Sequence, residues 1–199
     1  MKCILGTDCE SEDYLHNTQD WEYGTPGSFK FVRCKVCEIL QLVPMPTLEE
    51  LQSYYPPNYH GFHTMGRGII SSLYRIVYNL RFKEYVSYMG PQGTLLDVGC
   101  ADATYFDLFN KKFPTAVLSG VEFIDAVASK GRQAGRDVKT GILSDLDDKP
   151  QFDLIIMNNL IEHVLNPIEE LCEAHKRLKP GGHVFVETPN FKSWDFYFF

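Results

Sequence analysis

From residue 94 onward, short apolar runs alternate with stretches whose apolar residues recur at helical spacing. The apolar runs predict strands over Thr94–Val98, Ala116–Glu122, Asp137–Thr140, Phe152–Met157 and His183–Glu187. The amphipathic stretches predict helices over Tyr105–Phe113, Asp125–Ala134 and Pro167–Leu178. Regular alternation of strand and helix predicts an α/β fold, in which a doubly wound, mainly parallel sheet carries helices on both faces.

The chain before this alternating region divides into two segments. Residues 1–66 are rich in Cys, Tyr, Pro and Gly and form an N-terminal cysteine-containing segment. Within it, Phe29–Val43 predicts one or two strands, and a capping-box spacing that starts at Thr47 predicts a short helix. Residues 67–93 form the second segment, a connecting helix predicted by one long helical pattern over residues 68–88. We therefore expect three parts, which cover residues 1–66, 67–93 and 94–199.

Composition excludes several classes of protein. The hydrophobic content of 44% supports a packed core, and no apolar run approaches the roughly 20 residues that span a bilayer. The net charge of -7, without a dense Lys/Arg patch, argues against nucleic acid as a partner. The polar N-terminus does not resemble a signal peptide, so the six cysteines predict a cytoplasmic protein in which metal binding is favoured over disulfides. We expect neither a membrane nor a nucleic-acid partner, and no oligomeric state follows from the sequence.

The most informative stretch is Leu95–Ala103, an apolar strand with an acid near its end, followed by a turn of very small residues. Such a corner brings the backbone close to a nucleotide and points the free N–H groups of the next helix toward it. Asp97, two residues before Gly99, would repel a pyrophosphate, and the absence of Gly-x-Gly-x-x-Gly excludes a nicotinamide dehydrogenase. An acid here suits a ligand with an ammonium and a sulfonium. The candidate cofactor contacts in this turn are Asp97, Gly99, Cys100 and Ala101.

Further candidate contacts follow the other strands. Glu122 lies about twenty residues past the turn, where a carboxylate accepts both hydroxyls of a ribose. The alternative is that Glu122 is an exposed acid at a strand end. Phe123 follows it and is placed to lie along an adenine ring. Because ligands of open α/β sheets bind outside the carboxyl ends of the strands, the remaining candidates are Ile142 and Leu143 after the third strand and Asn158 and Asn159 after the fourth.

Taken together, these stretches resemble the motifs of the class I S-adenosylmethionine-dependent methyltransferases. The resemblance is carried by Leu95–Ala103, Gly120–Glu122, Phe152–Ile155, Ile161–Val164 and Leu178–Gly182. Two further stretches, Arg33–Cys37 and Glu187–Asn190, are similar to a subgroup with an N-terminal cysteine-containing segment. The resemblance implies a Rossmann-like fold, S-adenosylmethionine as cofactor, and a small-molecule methyl acceptor such as a sugar or a quinone precursor. It also implies seven strands, so a chain that stops after the fifth is expected to be truncated.

Methyl transfer to an oxygen or a carbon acid requires a base that removes a proton. His163 is the imidazole nearest in sequence to the end of the fourth predicted strand, and Glu162 beside it would orient it. The alternative is that His163 packs at the start of a helix. Asn158-Asn159-Leu160 lacks the prolines common in amino methyltransferases, which favours an oxygen or carbon acceptor. The competing hypothesis for the whole chain is a non-catalytic module that retains a cofactor pocket or a zinc knuckle.

The cysteines of the N-terminal segment predict a metal site. Cys34 and Cys37 have the spacing of a structural zinc knuckle. Cys3 and Cys9 are the candidate partner pair, although their separation is wider than usual. We therefore predict a four-cysteine zinc site, with two alternatives left open. His16 could replace Cys9 as the fourth ligand, or the segment could fold without metal.

Overall fold

The computed structural model describes residues 3–6, 10–20, 23–55, 69–149 and 151–193, with the backbone alone at 52 and 69–78. The chain divides into two compact units, which are Met1–Tyr59 with Leu165–Ile168 and His60–Val164 with Glu169–Phe199. Within the described ranges, every helix is too short or too polar to cross a bilayer.

A three-stranded antiparallel sheet organises the first unit. Its strands, in sheet order, are β1 (Ser11–Thr18), β2 (Phe29–Cys34) and β3 (Leu40–Val43). A short helix, α1 (Leu48–Ser53), follows. The predicted capping box starts it, because the Thr47 N–H donates to Glu50 Oε2 at 2.7 Å and the Glu50 N–H donates to Thr47 Oγ1 at 3.2 Å.

A five-stranded sheet forms the centre of the second unit. Its strands are β4 (Thr94–Val98), β5 (Val117–Glu122), β6 (Val138–Thr140), β7 (Phe152–Asn158) and β8 (Leu178–Glu187). They are all parallel and lie in the order β6-β5-β4-β7-β8. The predicted Rossmann-like, doubly wound sheet is confirmed.

Helices cover this sheet on both faces. They are α2 (Ile69–Met89), α3 (Tyr105–Lys112), α4 (Asp125–Gln133) and α5 (Pro167–Arg177). Successive strand residues point to opposite faces. Leu95 therefore packs in one buried cluster with side chains of α2, α3 and α4, whereas Leu96 packs in a second cluster with Ala174 of α5. The hydrophobic runs of β4 and β7 follow from burial on both faces, as expected for a parallel sheet.

The strand order reverses at β4, which has β5 on one side and β7 on the other. In open α/β sheets such a reversal opens a crevice outside the carboxyl ends of the two strands that flank it. The segments that leave β4, β5 and β7 all begin at this edge. Together with the strand ends themselves, they contain most of the cofactor candidates predicted from the sequence.

Candidate functional site

Asp97 lies on β4 and is almost completely buried, with 4% of its surface exposed. Its Oδ2 accepts a hydrogen bond of 2.9 Å from the Tyr105 hydroxyl. Burial raises the pKa of the Asp97 carboxyl to about 7, against the effect of this hydrogen bond, and the nearby charge of Glu122 adds to the rise. A buried carboxyl poised near neutral pH, with one bonded oxygen, is a group that a cationic ligand would ionise.

Glu122 ends β5 beside β4 and is also buried, at 7% exposure. The alternative of an exposed strand-end acid is therefore wrong. Its Oε2 accepts the Ala101 N–H at 3.0 Å, and its Oε1 accepts the Ile124 N–H at 2.9 Å. Burial raises the pKa of Glu122, and these backbone hydrogen bonds oppose the rise. Because each carboxylate oxygen has two lone pairs, both oxygens keep acceptor capacity for a diol.

The turn between β4 and α3 is held in the left-handed backbone region. Gly99, Ala101 and Ala103 have φ values of 75°, 51° and 52°. Gly99 is also closely packed, since a Cβ there would lie 2.9 Å from Leu160 Cδ1 and the leucine side chain would have to move. An alanine at positive φ is strained by about 1–2 kcal/mol, and both alanines carry this strain.

We expect Ala101→Gly to raise the free energy of unfolding by about 1 kcal/mol, because glycine adopts the φ of 51° without the Cβ clash. Ala134→Gly is the matched control, since Ala134 is exposed and has a φ of -83°. That control should lower stability by up to about 1 kcal/mol through unfolded-chain entropy. Urea denaturation of the three proteins measures both effects. An Ala101→Gly protein that is no more stable than wild type would show that the turn is unstrained.

The other turn and loop candidates differ in what they offer a ligand. Cys100 is buried and packs against Gly120, where a Cβ would collide with its Sγ. Leu143 is fully buried in the core, so only its backbone, and not its side chain, is available to contact a ligand. Ile142 is half-buried, and its N–H donates to Asp145 Oδ2 at 2.9 Å. Phe123 is half-buried beside Glu122.

Asn158 and Asn159 lie where β7 ends, as predicted. The Asn158 Nδ2 donates to the Tyr85 hydroxyl at 3.0 Å, which fixes the orientation of the side-chain amide. Its Oδ1 is buried and has no hydrogen-bond partner among the described residues. Asn159 is exposed, has a φ of 48°, and donates its N–H to the Glu187 carbonyl at 2.8 Å. Tyr85 comes from α2, and burial raises its pKa to about 12, so the hydroxyl stays neutral.

A second cluster of polar side chains lies at the carboxyl ends of β7 and β8. Arg81 of α2 pairs with Glu187. Glu162 accepts a hydrogen bond of 3.1 Å from the Thr188 hydroxyl, and its other carboxylate oxygen lies 3.9 Å from His163 Nε2. The His163 side chain is 39% exposed, so its imidazole is open to solvent while Glu162 stands beside it.

Tyr85, Tyr105 and Arg81 belong to this site but do not stand out in the sequence. Tyr105 occupies the first position of a helix that the sequence does predict, at a place where an aromatic residue has no special meaning. Tyr85 and Arg81 reach the site from a helix distant in sequence, and no local spacing reveals such a contact.

The cysteine cluster lies in the first unit. The Sγ atoms of Cys3, Cys34 and Cys37 all lie within 4.8 Å of one another. The N–H groups of Val36 and Cys37 each point at Cys34 Sγ, at 3.4 Å. Cys9, the predicted fourth ligand, lies outside the described residues. His16 instead pairs with Asp13 at 3.4 Å.

A parallel sheet of this order, with buried acids on its two central neighbouring strands and a tight turn between strand and helix, defines a Rossmann-like nucleotide-binding domain. The profile of the family described as "Methyltransferase domain" matches residues 74–196. That match covers more than half of the chain, and the chain therefore belongs to this family. The resemblance to the class I methyltransferases is confirmed in family and fold.

Characterised relatives share the same region. The trans-aconitate 2-methyltransferase of Mycobacterium tuberculosis is 26% identical over 118 residues, which cover 58% of this chain and 45% of the relative. The mitochondrial ubiquinone biosynthesis O-methyltransferase of Candida albicans is 29% identical over 112 residues, which cover 51% of this chain and 34% of the relative. The chain thus spans less than half the length of these relatives. Among solved structures, the PH0226 protein of Pyrococcus horikoshii superposes with a TM-score of 0.53 at 19% identity, covering 67% of this chain and 64% of that one.

Proposed function

We propose that this protein is an S-adenosylmethionine-dependent methyltransferase that acts on an oxygen or a carbon of a small molecule. The observation that carries the proposal is the pair of buried carboxyls, Asp97 and Glu122, on the two central neighbouring strands of a methyltransferase-family sheet. Two buried acids that have no basic partner among the described residues are costly unless a ligand with hydroxyls and a positive charge uses them. A phosphorylated ligand would meet repulsion here.

The residues of the site fit this cofactor. Glu122 would accept the two ribose hydroxyls, for which its oxygens keep lone pairs. Asp97 would face the amino-acid end of the cofactor, where a positive charge favours the ionised carboxyl. The Gly99 turn lets the backbone approach without a Cβ. The bound cofactor supplies a methyl group on a sulfonium, which is already activated for displacement.

In this proposal His163 is the general base and Glu162 is its positioning residue. A hydroxyl or carbon acid must lose a proton as it attacks, and His163 is a partly exposed imidazole close to the end of β7. Glu162, anchored by Thr188 and 3.9 Å from the imidazole, would orient it. The relatives are named for an acid and for a quinone pathway, which supports a small-molecule acceptor.

Titration calorimetry with S-adenosylhomocysteine tests the cofactor. We expect one site per chain, whereas a non-catalytic module that retains only a zinc knuckle would give no heat. Methyl transfer from labelled S-adenosylmethionine to a panel of neutral, phenolic and acidic acceptors then tests the enzyme. Binding without transfer to any acceptor would favour the non-catalytic module.

We expect His163→Ala to lower turnover by about 10²–10⁴-fold, the usual contribution of a general base, while leaving affinity for S-adenosylhomocysteine nearly unchanged. His175→Ala is the matched control, because His175 is exposed on α5 and no role is assigned to it. Turnover assayed at saturating cofactor distinguishes the two variants. Equal turnover in His163→Ala and wild type removes this residue from the mechanism.

We further propose a zinc site at Cys3, Cys34 and Cys37. Thiolates at knuckle spacing are soft ligands that suit zinc. Two of the three are buried, and backbone N–H groups that donate to Cys34 Sγ stabilise a thiolate there. Three cysteines leave one tetrahedral position, for which Cys9 remains the sequence-based candidate. Zinc bound here would hold the N-terminal strand connections together. This cysteine usage also supports our proposal of a cytoplasmic location.

A further inference from the structure

The Asp102 carbonyl lies in the middle of the turn that we assign to the cofactor. It stands between Ala101 and Ala103, whose φ values are 51° and 52°. Arg136, in the connection between α4 and β6, donates from Nη1 to this carbonyl at 2.8 Å. A charged donor on a main-chain carbonyl makes a stronger hydrogen bond than a neutral one.

The guanidinium of Arg136 is itself fixed. Its Nη2 and Nε donate to the two carboxylate oxygens of Asp107 on α3, at 2.8 Å and 3.3 Å. The Arg136 side chain is only 12% exposed, so this fork is held against the protein rather than in open solvent. Because the planar guanidinium binds the Asp107 carboxylate of α3 and the Asp102 carbonyl at the same time, it can fix the distance between α3 and the turn.

The end of α4 is shaped to admit the same carbonyl. A Cβ at Gly131 would lie 2.9 Å from the Asp102 oxygen, a contact that side chains do not make. Glycine at this position therefore lets α4 approach the turn, and Arg136 binds the same carbonyl. Two groups outside the turn, Gly131 and Arg136, converge on one backbone atom, and the Arg136 N–H also donates to the Gly131 carbonyl at 3.1 Å.

We propose that Arg136 is a positioning residue that holds the Ala101–Ala103 turn in its binding conformation. This inference rests on the proposed cofactor function. Non-glycine residues at positive φ persist only where the surroundings over-determine them, and Arg136 and Gly131 are such surroundings for the Asp102 carbonyl. The Ala101 N–H, held in this conformation, donates to Glu122, the proposed ribose ligand. Arg136 thus acts on the cofactor through the turn without touching it.

Calorimetric titration of full-length variants with S-adenosylhomocysteine tests this role. We expect Arg136→Gln to weaken binding by about tenfold, the equivalent of one charge-assisted hydrogen bond. Arg132→Gln is the matched control. Arg132 makes a similar set of bonds, to Asp125, Thr140 and the Val138 carbonyl, but none to the turn. The affinity of Arg132→Gln for S-adenosylhomocysteine should stay within about twofold of wild type, a change in binding free energy well below that of one hydrogen bond.

A second pair of proteins separates positioning from general stability. In an Ala103→Gly background, glycine adopts positive φ unaided, so adding Arg136→Gln should weaken binding by less than about threefold. A purely structural Arg136 predicts the same loss in both backgrounds, and that result overturns the proposal. Arg136→Met, which keeps an apolar stem and has no donor, covers the case in which Arg136→Gln does not fold. Wild-type affinity in Arg136→Met also overturns the proposal. Absence of binding in the wild-type protein overturns the proposed function instead.

Discussion

Asp97→Asn is expected to weaken binding of S-adenosylhomocysteine by about a hundredfold, the cost of removing one partner of a buried charged pair. Asp97 is the most buried acid among the described residues, at 4% exposure, and its replacement keeps the shape of the side chain. The Tyr105 hydroxyl can still donate to the amide oxygen. The loss should therefore come from charge, and calorimetry measures it directly. The control is Asp137→Asn. Asp137 directly precedes β6, and its exposed carboxyl accepts a hydrogen bond from the Ser119 hydroxyl of β5.

The same variant should be more stable than wild type at pH 8. In the folded chain burial raises the pKa of Asp97 to about 7, whereas an aspartate in an unfolded chain has a pKa of about 3.9. Between these two values the folded state binds more protons than the unfolded state, so wild-type stability falls as the pH rises. This difference in pKa limits the loss to about 4 kcal/mol. Asparagine carries no charge and escapes it.

Urea denaturation at several pH values distinguishes this explanation from a general packing effect. The stability advantage of Asp97→Asn over wild type should be large at pH 8 and close to zero near pH 4, where Asp97 is protonated in both states. The affinity of the wild-type protein for S-adenosylhomocysteine should likewise fall as the pH drops below about 7, because a growing fraction of Asp97 is neutral. An advantage that is independent of pH would contradict the assigned pKa.

These effects describe a site that costs stability in order to bind. Asp97 and Glu122 are buried next to each other along neighbouring strands, and the pKa of each is raised by burial. The two alanines at positive φ add backbone strain to the same turn. Sites of this kind are often less stable than the fold around them. A bound cation with hydroxyl groups would relieve both carboxyls at once.

The sequence predicted the parallel sheet and the acids at its edge, since both depend on local pattern. β4 and β7 are apolar runs because they are buried on both faces, and Asp97 and Glu122 lie near the ends of their strands. β1 escaped prediction because its residues are mostly polar and its burial pattern lacks clean alternation. The hydrogen bond between Tyr85 and Asn158 joins residues 73 positions apart, and no local spacing encodes it.

The end of α5 shows a similar limit. The predicted helix extends to Leu178, and the predicted strand begins at His183. In the structure α5 ends at Arg177, and Leu178 already pairs with Phe152 before the pairing resumes at His183. The irregular stretch contains Pro180 and two glycines. These residues indicate an interruption of regular structure but do not show whether the strand continues after it.

Cys34→Ser is expected to abolish stoichiometric zinc binding and to lower the thermal stability of the first unit. Structural zinc sites contribute about 10–16 kcal/mol of apparent binding free energy in small peptides, so the loss of one buried ligand is a large change. Cys34 receives the N–H groups of Val36 and Cys37, and a serine oxygen is a poor substitute for the thiolate in that pocket. Native mass spectrometry of the full chain purified with zinc should show one ion in wild type.

Cys172→Ser is the control for this experiment, because Cys172 is an exposed free thiol on α5 and lies outside the cysteine cluster. It should retain the ion and the wild-type melting curve. Cys9→Ser tests the fourth ligand separately, since a site completed by a water would keep its zinc in that variant. A wild-type chain that stays metal-free after refolding with excess zinc would show that the segment folds without metal. In that case the 3.4 Å separation of Cys3 Sγ and Cys37 Sγ is a packing contact between thiols.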